Sequence, residues 1–376
     1  MLFRDIIGND SIKKELSRVR GSGRVAHSQL ISGPEGSGAL PMAIAYAREI
    51  LCNPQVKNID ACNLKVSSYK HPDLHFVYPV ANTQEIKSGA VSSNFLTSWR
   101  EFLNTSPYGS LFDWYTHLGI ENKQGKIGKD EADDLIKKLS LKPYEGGWKC
   151  AIIWMAEKMN SSATNRLLKL IEEPPKNTVF LFVSEAPMLL MDTLLSRCQR
   201  FDLKKVSVHE IEKGLLNKGY SVEISKQAAL ISDGNYNKAL SFANGSENDV
   251  LFEKWFLSWV RSAFRVKKNK EAVLELIDWS KNISKSGRET QKSFIKYSLE
   301  LFRQAVLINY GVNQITNYRP SADFDFQRFS TYIGGANIDD ISLELEKAHS
   351  QIQSNGNPNM VFSDLSLKLT RLIHKN

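Results

Sequence analysis

The sequence predicts an α/β domain built on a parallel sheet, then a small helical domain, then a C-terminal all-α domain. Three observations carry this. Two continuous apolar runs, residues 150–154 and 179–184, flank an amphipathic stretch at 160–173, which is a strand–helix–strand order. Strand patterns stop after about residue 205. From 250 onward apolar residues recur at helical spacing almost to the end.

Taken in order, Gln29-Leu30-Ile31-Ser32 and Leu74-His75-Phe76-Val77 read as further strands. Runs this apolar suit strands covered on both faces. Residues 39–51 read as a helix opened by a glycine-rich turn. Residues 81–147 are less regular and are expected to be partly an insertion. They carry Trp99, Phe102, Trp114 and Tyr115, so they should fold, with a helix over 131–141. In the next unit Asn160 or Ser161 caps the helix, Ala163, Leu167, Leu170 and Ile171 share one face, and Pro174-Pro175 stops it. Residues 206–246 form the small helical domain, with Gly214 and Gly219 punctuating its helices. Residues 247–376 form the last domain. Phe252, Trp255, Phe256, Trp259, Val260, Ala263 and Phe264 make its first stripe, and core is the commoner fate for such a stripe.

Composition bounds the function. At 376 residues, two or three domains are expected. Hydrophobic residues at 42% and charged ones at 24% exclude a disordered or collagen-like chain. The net charge of +8 permits a polyanionic partner without requiring one. Arg265-Val266-Lys267-Lys268-Asn269-Lys270 reads as a solvated helix end. No apolar run of about 18 residues predicts a spanning helix. The first residues lack a signal-peptide core, and the four scattered cysteines do not form a secreted disulfide framework. A reduced cytoplasmic protein with no membrane contact is the expectation.

The sharpest local signal is Gly33-Pro34-Glu35-Gly36-Ser37-Gly38-Ala39-Leu40, after a strand and before a helix. It has the frame of a phosphate-cradling loop, in which glycines turn backbone N–H groups toward an anion at a helix N-terminus. Ala39 stands where a phosphate-binding Lys is needed, and Leu40 where Mg²⁺ needs a hydroxyl. The loop is either a degenerate nucleotide site or a plain glycine-rich turn. A second requirement is a carboxylate pair ending a buried strand. Glu157 follows the 150–154 strand, but its neighbour is Ala156 rather than Asp. Alone, Glu157 reads as a solvated cap.

These pieces closely resemble the AAA+ clamp-loader family of bacterial DNA polymerase III. The resemblance rests on Phe3-Arg4-Asp5-Ile6-Ile7-Gly8-Asn9, Ala26-His27, the Gly33 loop, Leu167-Leu168-Lys169 with Glu172-Glu173-Pro174-Pro175, and Ser196-Arg197-Cys198. It implies an AAA+ P-loop-type α/β domain, a helical lid and a helical collar. It implies that Arg197, within Ser196-Arg197-Cys198, is an arginine finger reaching the ATP site of a neighbouring subunit. A planar guanidinium of fixed charge suits that task. Without the flanking motifs, Arg197 would read as a helix-end cation.

The departures from the family's pattern are expected to matter most. Ala39, Leu40 and Ala156 lack phosphate and metal ligands, and Asn237 replaces the arginine of the second sensor segment, Gly234 to Leu240. Such a chain would serve a neighbour's site without hydrolysing ATP itself, so it would not be an enzyme alone. ATP could still linger weakly in the loop, but no cofactor is expected. The implied partners are a gamma/tau-like ATPase subunit and a delta-like subunit. The sliding clamp and primer–template DNA would be met through the complex. The alternatives are an active gamma/tau-like ATPase with non-standard residues, and a nucleic-acid-binding module on a borrowed fold. Relatives carry a four-cysteine zinc module after the first helix of the loop. Cys52 and Cys62 read as remnants of it, with His71 and His75 nearby, and zinc is not expected.

Overall fold

The computed structural model describes residues 1–53, 56–83, 85–145, 147–245, 247–312 and 324–375. Ser246, where the expected middle domain ends, lies outside them, as do 84, 146 and 313–323 within the longer expected stretches. Two compact units are present. One is Met1–Ile120 with Gln124–Leu240, the other Glu121–Lys123 with Ser241–Asn376.

The first unit is built on five strands: β1 Ser28–Ser32, β2 Leu74–Val77, β3 Lys149–Trp154, β4 Thr178–Ser184 and β5 Gln199–Asp202. All pairings are parallel, in the order β2-β3-β4-β1-β5. β1, β3 and β4 are buried along their whole length. Their side chains alternate between two cores. Ile152, Leu181 and Val183 join the core that holds α2 (Ala39–Leu51). Ile153, Phe180 and Phe182 join the one that holds Leu135 and Leu139 of α6 and Leu167 and Ile171 of α7. This is why the strands read as unbroken apolar runs rather than alternating ones.

The helices of this unit are, besides α2, α1 (Asp10–Gly21), α3 (Ile59–Ser67), α4 (Leu96–Thr105), α5 (Leu111–Leu118), α6 (Lys129–Ser140), α7 (Ser161–Glu172), α8 (Asp192–Leu195), α9 (Val208–Asn217), α10 (Val222–Ile231) and α11 (Tyr236–Asn244), which continues past Leu240. Asn160 caps α7 by accepting from the Ala163 amide, a contact worth about 1 kcal/mol. The 81–147 stretch packs an aromatic cluster against the sheet. Trp99 stacks on Tyr78 at 4.0 Å and meets Trp114 edge-on at 5.0 Å. Gly214 does not punctuate helices as expected. It lies inside α9, where a Cβ would come within 2.9 Å of Ile7. The glycine there permits close packing, whereas Gly219, at φ +92°, ends its helix.

The second unit is helical: α12 (Glu247–Arg265), α13 (Ala272–Ser284), α14 (Arg288–Asn309), α15 (Phe326–Ser330), α16 (Ile338–Gln353) and α17 (Pro358–Leu372). Trp259 is fully buried and stacks on Trp279 at 5.1 Å. Its indole N–H donates to Ser366 Oγ at 2.9 Å. The Trp255 carbonyl accepts from the Trp279 indole, with Trp255 at the edge of the core. The α12 stripe is thus spent on packing within the unit. Among the described residues, no helix is long and apolar enough to cross a membrane.

Candidate functional site

The Gly33 loop joins β1 to α2, as the sequence predicts. Gly36 and Gly38 take φ of +73° and +92°, conformations that cost a residue with a Cβ. Gly38 is the N-cap of α2, so the loop has the shape of an anion cradle. The contents of the cradle differ from that shape. Ala39 and Leu40 are buried apolar groups. The segment before α11 lies directly on Gly36, where an added Cβ would fall 1.9 Å from Asn235 Oδ1. The Tyr236 amide donates to the Gly36 carbonyl at 3.2 Å, and Asn235 Nδ2 donates to Glu35 at 3.2 Å.

A second cover comes from the 81–147 stretch. The Tyr108 ring lies against Gly38, at 3.0 Å from the position of a Cβ there. Its hydroxyl accepts from the Ile7 amide at 2.8 Å, and its ring meets Tyr236 edge-on at 4.8 Å. Asn237, which the sequence comparison set against a second-sensor arginine, donates to Asp113 of α5 at 2.7 Å. What remains is a cleft of about 330 Å³ including its open mouth, lined partly by Leu40, Tyr108, Trp154 and Glu185. The room it leaves for a guest is only about 20 Å³, about one water and far below the ~300–1,000 Å³ of small-molecule pockets.

At the end of β3, Ala156 is fully buried. Glu157 sits on a short 3-10 turn, and its Oε1 accepts from the Glu185 amide at 3.1 Å. Its Oε2 and Ser37 Oγ are buried without a hydrogen-bond partner. The structure therefore ties Glu157 to the end of β4 and does not leave it as a solvated cap.

Ser196, Arg197 and Cys198 follow α8 and lead into β5. The Arg197 guanidinium donates through Nε to Glu172 Oε1 at 2.8 Å and through Nη1 to the Thr193 carbonyl at 2.9 Å. Nη2 also meets Glu172 at 2.5 Å, and the side chain keeps 38% of its surface exposed. Cys198 Sγ lies 3.0 Å from Ser28 Oγ, and burial raises its thiol pKa. Register locates this segment. Gln199 is level with Gln29, at the start of β1, while the loop follows Ser32 at its end. At about 3.3 Å per residue the two levels are roughly 13 Å apart along the sheet. Arg197 and its own loop thus stand at opposite ends of the strands.

The cysteines require a correction. Cys52 and Cys62 are bonded to each other, with Cα atoms 5.6 Å apart, against the expectation of a reduced chain. Cys150 and Cys198 are free. The residues near this bond do not fit a zinc site. Donor atoms of Cys62, His71 and Glu145 lie within 4.8 Å of one another, but each is engaged. Cys62 Sγ is in the disulfide. His71 Nδ1 accepts from the Asp73 amide at 3.1 Å, so its proton is on Nε2, which faces Glu145 at 3.3 Å. A metal-binding histidine needs the reverse arrangement, with the second nitrogen donating. Glu145 also pairs with Lys65. His75, considered from sequence, is not in this group, and Glu145 is. Its position 74 residues beyond His71 gave no local signal.

With a P-loop-type turn between β1 and α2 of a five-stranded parallel sheet, and an arginine just before its edge strand, the molecule is of the AAA+ clamp-loader class. The family described as DNA polymerase III, delta subunit, matches residues 8–207, and the chain belongs to it. It is 25% identical over 227 residues to the DNA polymerase III subunit delta' of Bacillus subtilis, covering 60% of this chain and 56% of that one. It is 25% identical over 249 residues to the subunit tau of the same organism, covering 66% and 36%. The delta' of Pseudomonas aeruginosa is 27% identical over 187 residues, covering 48% and 44%. The chain thus spans between about a third and just over half the length of these relatives. A solved structure of a DNA polymerase III gamma subunit-related protein from Thermotoga maritima aligns over 95% of this chain and 99% of its own. Its identity is 15% and its TM-score 0.38.

Proposed function

We propose that this chain is a non-hydrolysing, delta-prime-like subunit of a DNA polymerase III clamp loader. It donates Arg197 in trans to the ATP site of a neighbouring gamma/tau-like subunit while the sliding clamp is loaded onto primed DNA. The carrying observation is the separation of Arg197 from its own loop, with that loop filled by Asn235, Tyr236 and Tyr108. An exposed guanidinium at the opposite end of the strands from its own cradle has no phosphate to meet in cis. Ala39, Leu40, Ala156 and Asn237 supply no charge-assisted contact to phosphate or metal, which supports a chain without turnover of its own. Neither nucleotide nor zinc is required in this reading. The partners are the ATPase subunit and a delta-like subunit, with clamp and primer–template DNA met through the assembly in the cytoplasm.

The test is reconstitution with the ATPase and delta-like subunits from the same cells. Arg197→Ala should assemble normally and lower DNA-stimulated ATP hydrolysis by 100-fold or more. Undiminished hydrolysis would remove the arginine-finger role. Mg-ATP turnover by the isolated chain would replace the proposal with the active-ATPase reading.

A further inference from the structure

We propose that Cys52–Cys62 is a reversible thiol–disulfide site, addressed by a dithiol reductant, that holds α3 to the first unit in place of a metal. It does not depend on the role of Arg197. The argument starts from how little else holds α3. The helix has nine residues, and only Cys62 and Val66 are buried among them. Leu64 is 73% exposed and Ile59 41%. A helix this short is marginal in water without tertiary support. The bond supplies that support by joining Cys62 to Cys52, the residue that ends α2.

The two sulfurs differ in access. Cys62 is fully buried, whereas Cys52 is half-buried. A reductant thiolate therefore attacks Cys52 Sγ, and the electron pair of the broken S–S bond leaves on Cys62 Sγ. The surroundings of Cys62 suit a leaving thiolate. His71 is 4% exposed, its Nε2 faces Glu145 at 3.3 Å, and one donor atom each of His71, Cys62 and Glu145 lie within 4.8 Å of one another. With Nδ1 fixed by the Asp73 amide, Nε2 carries the proton, which faces Glu145 and can turn to the sulfur as charge develops on it. Lys65, three residues along α3, adds a cation nearby. The Asp73 carboxylate accepts from the Tyr144 and Glu145 amides at 2.8 and 3.1 Å, fixing the turn that presents Glu145. The cycle closes when the second thiol of the reductant displaces Cys52. Two electrons and two protons pass from the dithiol, which becomes a disulfide, and Cys52 and Cys62 become thiols.

The experiment uses the full purified chain. Free thiols are alkylated under denaturing conditions before and after dithiothreitol, and the labels are located by mass. Cys52 and Cys62 should be protected until reduction, while Cys150 and Cys198 react at once. Hydrogen exchange should then speed up roughly tenfold or more over residues 59–67 on reduction, with β3 and β4 unchanged. The Cys52→Ser/Cys62→Ser double variant should match the reduced protein and ignore dithiothreitol. Alkylation of all four cysteines without reductant would overturn the proposal. So would unchanged exchange in α3, or retention of one equivalent of zinc by the reduced chain after desalting, which would make the site a metal module.

Discussion

The glycine loop and the Arg197 edge are parts of one unit, and they have been treated in opposite ways. The loop keeps its backbone, with two glycines at positive φ and a helix N-terminus behind it. Ala39 and Leu40 fill its helix start with apolar groups, and Asn235, Tyr236 and Tyr108 occupy the approach. At the other end of the strands Arg197 keeps its charge and over a third of its surface, held by a carboxylate and a carbonyl that another anion could displace. The contrast shows that a loop of cradle shape can serve as a packing device within the unit. Glycines there are now needed because protein, rather than phosphate, comes close.

The largest effect should appear at the exposed end. In the assembled complex, Arg197→Lys should cut DNA-stimulated ATP hydrolysis about 100-fold, near 3 kcal/mol of transition-state stabilisation, because a point charge does not replace a planar fork. The same change should leave the thermal midpoint of the isolated chain within about 1 °C, since exposed ion pairs contribute little. A change confined to stability would break the comparison. At the filled end, Gly36→Ala should cost about 3 kcal/mol in denaturant melts, from strain at φ +73° plus the collision with Asn235. An unaffected melt would mean that the loop is open.

Glu131 tests how dry the unit is between these ends. Burial pushes its carboxyl up to about 7, although it accepts a hydrogen bond from the Ser92 amide at 2.6 Å. The native state therefore keeps this proton while the unfolded chain loses it near pH 4.5. Stability falls as pH rises from there through about 7, and the penalty is complete above that. Glu131→Gln should be more stable than the parent by about 3 kcal/mol at pH 8, with the gain vanishing below pH 4.5. The smallest expected effect is at the loop again. Ala39→Lys with Leu40→Thr should leave ATP binding weaker than about 1 mM by calorimetry, since restoring two ligands does not clear the cleft. Tight binding would show that chemistry alone, and not occlusion, had closed the site.

The sheet was legible because β3 and β4 are covered on both faces and so print as unbroken apolar runs. The helix over 160–173 was legible through its cap and its prolines, and is observed at Ser161–Glu172. β5 was not read as a strand, since only Phe201 of Gln-Arg-Phe-Asp is buried at that edge. The frame of the candidate site was visible as a motif, and so were the missing ligands. Its filling was not. Tyr108 and Asn235 reach the loop from 70 and about 200 residues away, and neither lies in a periodic pattern. The Cys52–Cys62 bond was missed because cysteine counting weighs the whole chain, while the bond depends on how α3 folds back on α2.

The strand order also has a consequence in time. β1 is a fully buried strand whose two neighbours, β4 and β5, are both made later, and Ser28 pairs with Phe180. During synthesis about 150 residues must emerge before that pairing exists, some 8–30 s at roughly 5–20 residues per second. For that interval the ribosome presents an unpaired strand and a glycine turn with nothing to rest on. Pauses placed between β1 and β4 would lengthen that exposure.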